Sequence, residues 1–517
     1  MESSALLVDR AKRFLEGHGS LMLNGEGQLV HSPATLYPSP IPQSGLDELR
    51  AIQPLFNELV DTVSRDHTFL CEVFENLHDE FQHRLYTIYL SVHKEGYVKP
   101  AILGIHRADY MLHFSAEARA ERDAAATATD STATTTSSSV CSGVKCPPYL
   151  ECAGGDGSQS SVRPLPYVAK CPFKQIEINT IAASFGALAG RMPEYHRYML
   201  GWIAGTSNED LKRSLPENNV MANLAKAIAA AWTVYGETKA VVILLSHASE
   251  TNIFDQNPLE NALMLNHGIR MIRASLPDLI QRGRLDEATR RYYIDNTEVA
   301  VVYMRTCYVP ELITTDEEWA VRLALERARC VVCPTIPYQL VGAKKIQQVL
   351  AHPDILSRFV PDESKAAQMQ AVFAKLWSLD LGEEGDKAAA LALTDPSRYV
   401  MKPQREGGGH NLYDDDIREA LQRLDGDPSR GAYILMERIL PPTYTNYLVT
   451  SKCSSVDTRP VSAASELGVY GVYVRSVDCD KVELNATGGV LLRTKAADSN
   501  EGGVIIGAAC LDSPWLV

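Results

Sequence analysis

Three strand-like segments constrain the fold of this chain more than any other feature. They are KAVVILLS, IRMIRAS and EVAVVYMR, between residues 239 and 305. The continuous apolar run in KAVVILLS is typical of a strand that is buried on both faces of a parallel sheet. The intervening segment NPLENALMLNHG has the pattern of an amphipathic helix that ends at Gly268. The alternation predicts a βαβ unit, which we place at residues 238–341.

The segments around this unit predict a mixed architecture. Thr315 and Glu318 have capping-box spacing, which predicts a helix that starts ahead of Trp319. Beyond residue 341, KKIQQVL and QMQAVFAKLWSL indicate helices, whereas RYVMK, YILMERI and the strongly alternating GVYGVYVRS indicate strands. The fold class is therefore α/β and α+β, and the expected units are residues 1–237, 238–341 and 342–517.

One segment, from about residue 117 to 170, is almost devoid of large apolar side chains. Such a composition cannot bury enough surface to offset the entropy of ordering, so we interpret the segment as a disordered insertion. Its cysteines Cys141, Cys146 and Cys152 match no common zinc spacing. We read them as exposed thiols rather than as a redox or metal site. Cys330 and Cys333, which form a CxxC without a second pair, are expected to be buried and reduced.

The composition argues against several classes of partner. The 517 residues contain 50 Lys and Arg against 64 Asp and Glu, a net charge of −14, and no dense basic run. Nucleic acid and anionic membranes are therefore not expected partners. The apolar runs fall far short of the roughly 20 residues of a membrane span, and the amino terminus lacks a cleavage-site pattern. These features predict a cytoplasmic protein.

The sequence KPQREGGGHNLY, residues 402–413, combines a lysine at a strand end with three consecutive glycines. Gly407, Gly408 and Gly409 expose backbone N–H groups that can surround the phosphates of ATP, although the triplet alone also fits a surface turn. The order is neither that of a Walker loop nor that of a dinucleotide fingerprint. Glu406 adds a carboxylate that a magnesium ion between phosphates would need.

A second set of oxygen donors lies in KQIEINTIAASFG, residues 174–186. In a strand, Glu177 and Asn179 project from one face while Ile176 and Ile178 face the core. The pair suits a hard cation, and it equally fits the polar outer face of a half-buried strand. The small residues that follow, from Thr180 through Ser184 to Gly186, suit a turn that hydrogen-bonds a carboxylate.

Eight sequence blocks in order resemble the eukaryotic glutathione synthetase family. They are LGIHRADYM, KQIEINTIAASFGALAGR, ETNIFDQ, AVVYMRTCYVP, KPQREGGGHNLY, YILMERI, SELGVYGVYVR and LLRTKA. The resemblance implies an ATP-grasp fold with an internal, permuted βαβ substrate-binding domain and a mobile glycine-rich lid. It implies a ligase that joins γ-glutamylcysteine to glycine, with ATP as co-substrate, two Mg²⁺ ions, an acyl-phosphate intermediate and a homodimeric assembly.

Matching positions carry the family's site onto this chain. As metal ligands the resemblance implies Glu177, Asn179 and Glu406, and as catalytic residues Lys402, Arg493 and Lys344. Around ATP it implies Lys344, Lys402, Glu406, Gly407, Gly408, Gly409, Asn411, Tyr413, Met436, Glu437, Ile439, Glu466, Lys495 and Glu501. Around the peptide substrate and acceptor it implies Arg107, Ser184, Glu250, Asn252, Gln256, Arg305, Tyr308, Arg493, Val504 and Ile505. Taken singly, each arginine also fits a surface salt bridge.

The chain departs from the family pattern at a few of these positions. Ala182 replaces a usual serine near the dipeptide, and His410 replaces an asparagine in the glycine-rich loop. Glu501 stands where aspartate is frequent, and Ile505 and Ile506 replace alanines near the acceptor. The added bulk is expected to tighten or reshape the acceptor site. One alternative is a related ligase of the same fold that uses another acceptor, such as β-alanine. A non-catalytic nucleotide-binding regulator is the other alternative, but it should have lost charged residues that are present here.

Overall fold

The computed structural model describes residues 4–114, 168, 171–205, 207–405, 409–451, 459–500, 502–505 and 507–517. The predicted insertion, apart from Val168, lies outside the described residues, and so do five other residues named above: Glu406, Gly407, Gly408, Glu501 and Ile506.

The described residues form helices and strands that alternate along the chain. The helices are α1 (Ser4–Gly17), α2 (Gln43–Arg65), α3 (His67–Phe74), α4 (Glu80–Glu95), α5 (Gly186–Ala204), α6 (Asn208–Ser214), α7 (Val220–Tyr235), α8 (Ile253–His267), α9 (Leu276–Arg282), α10 (Asp316–Arg327), α11 (Ile336–Val341), α12 (Lys344–Leu350), α13 (Pro353–Phe359), α14 (Glu363–Val372), α15 (Glu383–Thr394) and α16 (Asp414–Arg423). The strands are β1 (Leu21–Leu23), β2 (Leu29–His31), β3 (Ala34–Thr35), β4 (Ser39–Ile41), β5 (Ala101–Leu112), β6 (Phe173–Asn179), β7 (Val241–Leu245), β8 (Met271–Ala274), β9 (Gly283–Leu285), β10 (Tyr292–Ile294), β11 (Thr297–Met304), β12 (Val331–Cys333), β13 (Leu376–Ser378), β14 (Tyr399–Pro403), β15 (Tyr433–Glu437), β16 (Tyr444–Asn446), β17 (Leu448–Val449), β18 (Val461–Ser476), β19 (Lys481–Ala496), β20 (Cys510–Asp512) and β21 (Pro514–Leu516).

The largest sheet has the strand order β17-β3-β20-β19-β18-β5-β6, and β16 pairs with β18. Its long central strands β18 and β19 form an antiparallel hairpin, and β5 and β6 continue the antiparallel pairing. The predicted strand GVYGVYVRS lies in β18, but both of its faces are buried rather than one. Val469 belongs to the core that contains Phe56 of α2, and Tyr470 to the core that contains Ile228 of α7. Helices cover both faces of this strand, so buried and exposed residues do not alternate along it as its sequence pattern had suggested.

The second sheet contains the predicted parallel strands. Strands β8, β7, β11 and β12 pair in parallel, and β9 and β10 extend the sheet in antiparallel fashion. The three predicted strands are confirmed, while the helix between β7 and β8 starts earlier than predicted, at Ile253. The capping box is confirmed as well: Thr315 and Glu318 bind each other's backbone N–H groups at the start of α10. Cys330 and Cys333 are buried free thiols, as predicted.

A third, three-stranded antiparallel sheet has the order β13-β15-β14. It confirms the strands predicted from RYVMK and YILMERI. The helix predicted over QMQAVFAKLWSL is wrong in its second half, because α14 ends at Val372 and residues Leu376–Ser378 form β13. Leu376 pairs with Met436 of β15, so a partner distant in sequence overrides the local helical pattern.

Among the described residues, none of the helices combines the length and the apolar character needed to cross a membrane.

Candidate active site

A cavity of about 560 Å³ lies where the three sheets approach one another. Strands β5, β6, β18 and β19 form one wall, β14 and β15 form another, and loops that follow β7 and β11 close a third side. Most of the predicted site residues line this cavity. They are Arg107, Glu177, Asn179, Ser184, Glu250, Asn252, Arg305, Tyr308, Lys344, Lys402, Asn411, Tyr413, Met436, Glu437, Ile439, Glu466, Arg493, Lys495, Val504 and Ile505.

Two predicted and described residues do not line the cavity. Gln256 lies behind it and donates from Nε2 to Glu250 Oε2 at 2.6 Å, so it contacts the site through a lining residue. Gly409 has a positive φ of 92°, a left-handed conformation that favours glycine.

One end of the cavity is cationic. Lys344, at the start of α12, lies with Nζ 3.0 Å from Glu177 Oε2, and Lys402 at the end of β14 donates to the Ile176 carbonyl at 3.0 Å. Both lysines are 4% exposed. Burial acts to raise the pKa of Glu177, but Lys344 and Lys402 more than offset it and lower that pKa to about 2. Glu177 is therefore a carboxylate at neutral pH.

Strand β6 departs from the predicted alternation. The pairing with β5 shifts register between Asp109 and Tyr110, so that Ile176 is the extra residue of a bulge. Ile176 consequently lines the cavity instead of facing the core, which corrects the expectation for this residue. Ile178 is buried as expected.

The wall next to the cationic end is a row of polar side chains across four strands. Asn179 of β6 pairs with Arg107 of β5, and Glu466 of β18 pairs with Arg493 of β19. Arg493 Nη2 donates to Glu466, and burial raises the pKa of Glu466 above its ordinary value despite the opposing charge of Arg493. Side chains on one face of neighbouring strands come close together, which explains how residues far apart in sequence meet here.

The loops at the carboxyl ends of β7 and β11 supply a further polar wall. Because parallel strands end at the same edge of a sheet, Glu250 and Asn252 after β7 meet Arg305 and Tyr308 after β11. The Glu250 carboxylate is held by the Asn252 backbone N–H at 2.7 Å. Within the described part of the chain, both side-chain amide atoms of Asn252 (Nδ2 and Oδ1) and the Nε of Arg305 are buried without a hydrogen-bond partner. Buried polar atoms of this kind are expected to bind a polar ligand.

The predicted carboxylate-binding turn does bind a carboxylate, but one that belongs to the chain itself. Backbone N–H groups of Phe185 and Ala187 each donate to Asp255 at 2.8 Å, and Asp255 also lies 3.5 Å from Arg305. Asp255 is 1% exposed. It thereby joins the start of α5 to the parallel sheet and holds Arg305 in place.

Part of the cavity lining is apolar. Ile176, Val400, Met436, Leu440 and Pro441 line the cavity close to the end of β15. Backbone groups beside apolar side chains suit a flat heterocycle, and the adenine hinge at Met436 and Ile439 stays a prediction.

The loop after β19 completes the cavity. Lys495 Nζ donates to the Asn500 carbonyl at 2.9 Å, and the Tyr413 hydroxyl donates to the same carbonyl at 3.4 Å. Gly502 and Gly503 line the cavity, and a Cβ on Gly502 would lie 3.0 Å from Glu466 Oε2. Ile505, which lines the same region, is 53% exposed.

A family model for the ATP-binding domain of eukaryotic glutathione synthase matches residues 2–141 and 159–516. The chain belongs to this family. The unmatched residues 142–158 fall inside the predicted insertion. Membership establishes an ATP-grasp fold and an ATP-dependent ligase of glutathione biosynthesis that takes ATP and small-molecule substrates.

Curated relatives agree with this assignment. The chain is 40% identical to glutathione synthetase of Mus musculus over 492 residues, covering 95% of this chain and 91% of the relative. It is 39% identical to the Homo sapiens glutathione synthetase, over 94% of this chain and 90% of the relative. A chloroplastic glutathione synthetase of Solanum lycopersicum is 36% identical over 95% of this chain and 78% of the relative.

A solved structure with the same fold is the glutathione synthetase-like effector from Globodera pallida in apo form. It has a TM-score of 0.71 and 19% sequence identity, and the match covers 99% of this chain and 96% of that one.

The sequence motifs did not identify three residues that contribute to the cavity. Asp109 and Asp255 are buried carboxylates that hold predicted site arginines, and Arg405 lines the cavity and donates to Asp79 at 2.8 Å. The position of Asp109 could have been predicted, because a residue two positions beyond Arg107 in a strand points to the same face. The position of Asp255 could not, since its role depends on a contact with a turn that is distant in sequence.

Proposed function

We propose that this one cavity holds ATP, γ-glutamylcysteine and glycine together and forms the amide bond through an acyl phosphate. The observation that carries the proposal is the position of the Lys344–Glu177–Lys402 cluster beside three arginines, Arg107, Arg305 and Arg493, in one cavity. Lysines suit phosphate oxygens, whereas an arginine fork suits the carboxylates of a dipeptide.

In the first step, the cysteinyl carboxylate attacks the γ-phosphorus of ATP. A bond forms between the carboxylate oxygen and phosphorus, the bond from phosphorus to the bridging oxygen breaks, and ADP leaves. Lys344 and Lys402 would hold the phosphate oxygens and stabilise the charge that spreads over the transferring group. Their burial strengthens this effect because little water screens them.

In the second step, the neutral amine of glycine attacks the acyl carbon. Phosphate is a far better leaving group than the oxygen of a free carboxylate, and it departs with one oxygen of the former carboxylate. Water would hydrolyse the acyl phosphate, so the site must close. We assign closure to two glycine-rich loops, residues 407–409 and 496–507.

The residues present suit magnesium. Glu177 is ionised, and the Asn179 Nδ2 donates to Asp109 and to the Arg107 carbonyl, which leaves Oδ1 as the atom available to a cation. Among the described residues, no group of three His, Cys, Asp or Glu side chains forms a metal site. Glu177 and Asn179, together with Glu406, would hold two Mg²⁺ ions. Bound magnesium would neutralise charge on the phosphates.

Four further assignments are proposals supported by the family resemblance and the composition. They are a homodimeric assembly, a cytoplasmic location, a permuted substrate domain at residues 238–341, and glycine as the preferred acceptor.

The proposal is tested by ADP release from the purified chain with ATP, Mg²⁺ and γ-glutamylcysteine, and with glycine, β-alanine or serine as acceptor. Glycine should give the highest kcat/KM, and omission of γ-glutamylcysteine should abolish release. A higher kcat/KM with β-alanine would reassign the acceptor, and release that is independent of the dipeptide would refute the proposal.

A further inference from the structure

The buried carboxylate of Asp109 lies directly behind the polar wall of the cavity. Asp109 is 0% exposed and does not line the cavity, but its partners do. It accepts hydrogen bonds from Arg107 Nε at 2.6 Å and Nη2 at 2.8 Å, from Asn179 Nδ2 at 3.0 Å and from Arg493 Nη2 at 3.2 Å. One carboxylate thus binds three predicted site residues that come from three strands.

These contacts fix what each partner presents to the cavity. Asp109 binds Arg107 through two of its nitrogens, and the third, Nη1, donates to the Ser184 carbonyl at 3.3 Å. The guanidinium plane is therefore set by a bidentate pair before any ligand arrives. The bond from Asn179 Nδ2 likewise determines which end of that amide is left for other partners. Arg493 is shared between Asp109 and Glu466.

A glycine on the neighbouring strand β18 provides the space that the Arg107 and Asp109 side chains occupy. Gly468 of β18 pairs with Asp109, and a Cβ there would lie 2.7 Å from both Arg107 Cδ and Asp109 Oδ1. Contacts under 3.0 Å force a displacement, and both side chains are buried. A glycine at this position is therefore required for the Arg107–Asp109 pair to keep its geometry.

We infer that Asp109 is a positioning residue, which orients Arg107 and Arg493 for the dipeptide and fixes the side-chain amide of Asn179, without contacting the dipeptide itself. The inference rests on the proposed function, because it takes Arg107 as a dipeptide-binding group. An ion pair that served stability alone would not need to hold three lining residues at once.

The test compares Asp109→Asn with the wild-type chain. Titration calorimetry with γ-glutamylcysteine in the presence of a non-hydrolysable ATP analogue should show Kd raised roughly 10- to 100-fold, the cost of losing charge-assisted hydrogen bonds. In kinetics, KM for the dipeptide should rise in parallel, while KM for ATP should rise by a smaller factor, because Lys344 and Lys402 are untouched and Asn179 is one of three proposed magnesium ligands.

Asp61→Asn is the matched control. Asp61 is 1% exposed and accepts from Arg475 Nε at 3.0 Å, and Arg475 lies on β18 but not in the cavity. This variant also breaks a buried Asp–Arg pair, so it reports the effect of lost stability alone. Its dipeptide Kd should stay within about 2-fold of wild type, the scatter expected for a remote site.

Gly468→Ala provides a second test that retains the carboxylate. It should raise the dipeptide Kd in the same direction, even if Asp109→Asn does not fold. Arg107→Gln separates the inference from the proposed function. If Arg107→Gln weakens dipeptide binding while Asp109→Asn and Gly468→Ala leave it unchanged, the inference alone fails. If Arg107→Gln itself binds normally, the proposed role of Arg107 fails and the inference with it.

Discussion

Replacing Lys344 with methionine should make the activity sensitive to acid in a way that the wild-type activity is not. Lys344 Nζ lies 3.0 Å from Glu177 Oε2, the lysine is 4% exposed, and the pKa of Glu177 is lowered to about 2. At an effective dielectric constant near 20, this pair is worth about 5 kcal/mol, an upper bound. The Glu177 side chain is 23% exposed, so we take about half of that value, which is roughly 2 pH units.

The sign of the effect follows from the cause. Without Lys344, burial raises the pKa of Glu177 against weaker opposition from Lys402 and Arg107, and the value should approach about 4 to 5. Protonation then removes a charge that the proposed magnesium site needs as the pH falls through that range. The ratio of variant to wild-type kcat/KM for ATP should be about 0.01 at pH 8 and should fall about 2-fold further by pH 4.5, where roughly half of Glu177 would be protonated.

The assay is ADP release at saturating γ-glutamylcysteine and glycine, from pH 4.5 to 8, at constant ionic strength. Lys345→Met is the control, because Lys345 Nζ donates to Asp380 and to Ser378 Oγ rather than to Glu177. Its ratio to wild type should be independent of pH. A Lys344→Met ratio that is equally flat would refute the idea that Lys344 keeps Glu177 ionised.

Three further predictions concern other ionisable residues. Lys99 donates to the Leu325, Ala328 and Cys330 carbonyls at 2.9 to 3.0 Å near the end of α10, so Lys99→Met should lower the free energy of unfolding by about 3 kcal/mol in denaturant titration, whereas exposed Lys94→Met should not. Burial raises the pKa of Asp512 to about 7, so the free energy of unfolding of the wild type should fall as pH rises from about 4 to 7. The free energy of unfolding of Asp512→Asn should therefore gain about 3 kcal/mol relative to wild type between pH 5 and 8. Parallel pH profiles of the two proteins would contradict this prediction. Glu406→Gln should lower kcat about 100-fold, and near-normal turnover at saturating magnesium would remove Glu406 from the site.

The sequence predicts elements well where local pattern and tertiary packing agree. Strands β7 and β11 are continuous apolar runs because they are buried on both faces, and α10 begins at a capping box that forms as expected. The outcome differs where distant partners decide. Residues Leu376–Ser378 form a strand because they pair with β15, and the local helical periodicity cannot predict that pairing.

The candidate site follows the same rule. Glu177 and Lys402 lie in blocks that resemble the family, Lys344 is a matching position outside those blocks, and all three line the same cavity. The bulge at Ile176 arises from pairing with β5, and the contacts of Asp109 arise from three neighbouring strands. Such features depend on register between strands that are up to hundreds of residues apart, and spacing along one segment cannot reveal them.

The acyl-phosphate step is tested most directly by following oxygen from substrate to product. We would label the cysteinyl carboxylate of γ-glutamylcysteine with oxygen-18 and analyse the inorganic phosphate by mass spectrometry. One labelled oxygen should appear in phosphate for each amide formed, and Lys402→Met should slow label transfer and amide formation together, because Lys402 is proposed to hold the γ-phosphate against that carboxylate. Amide that forms with unlabelled phosphate would contradict the acyl phosphate and the role assigned to Lys402.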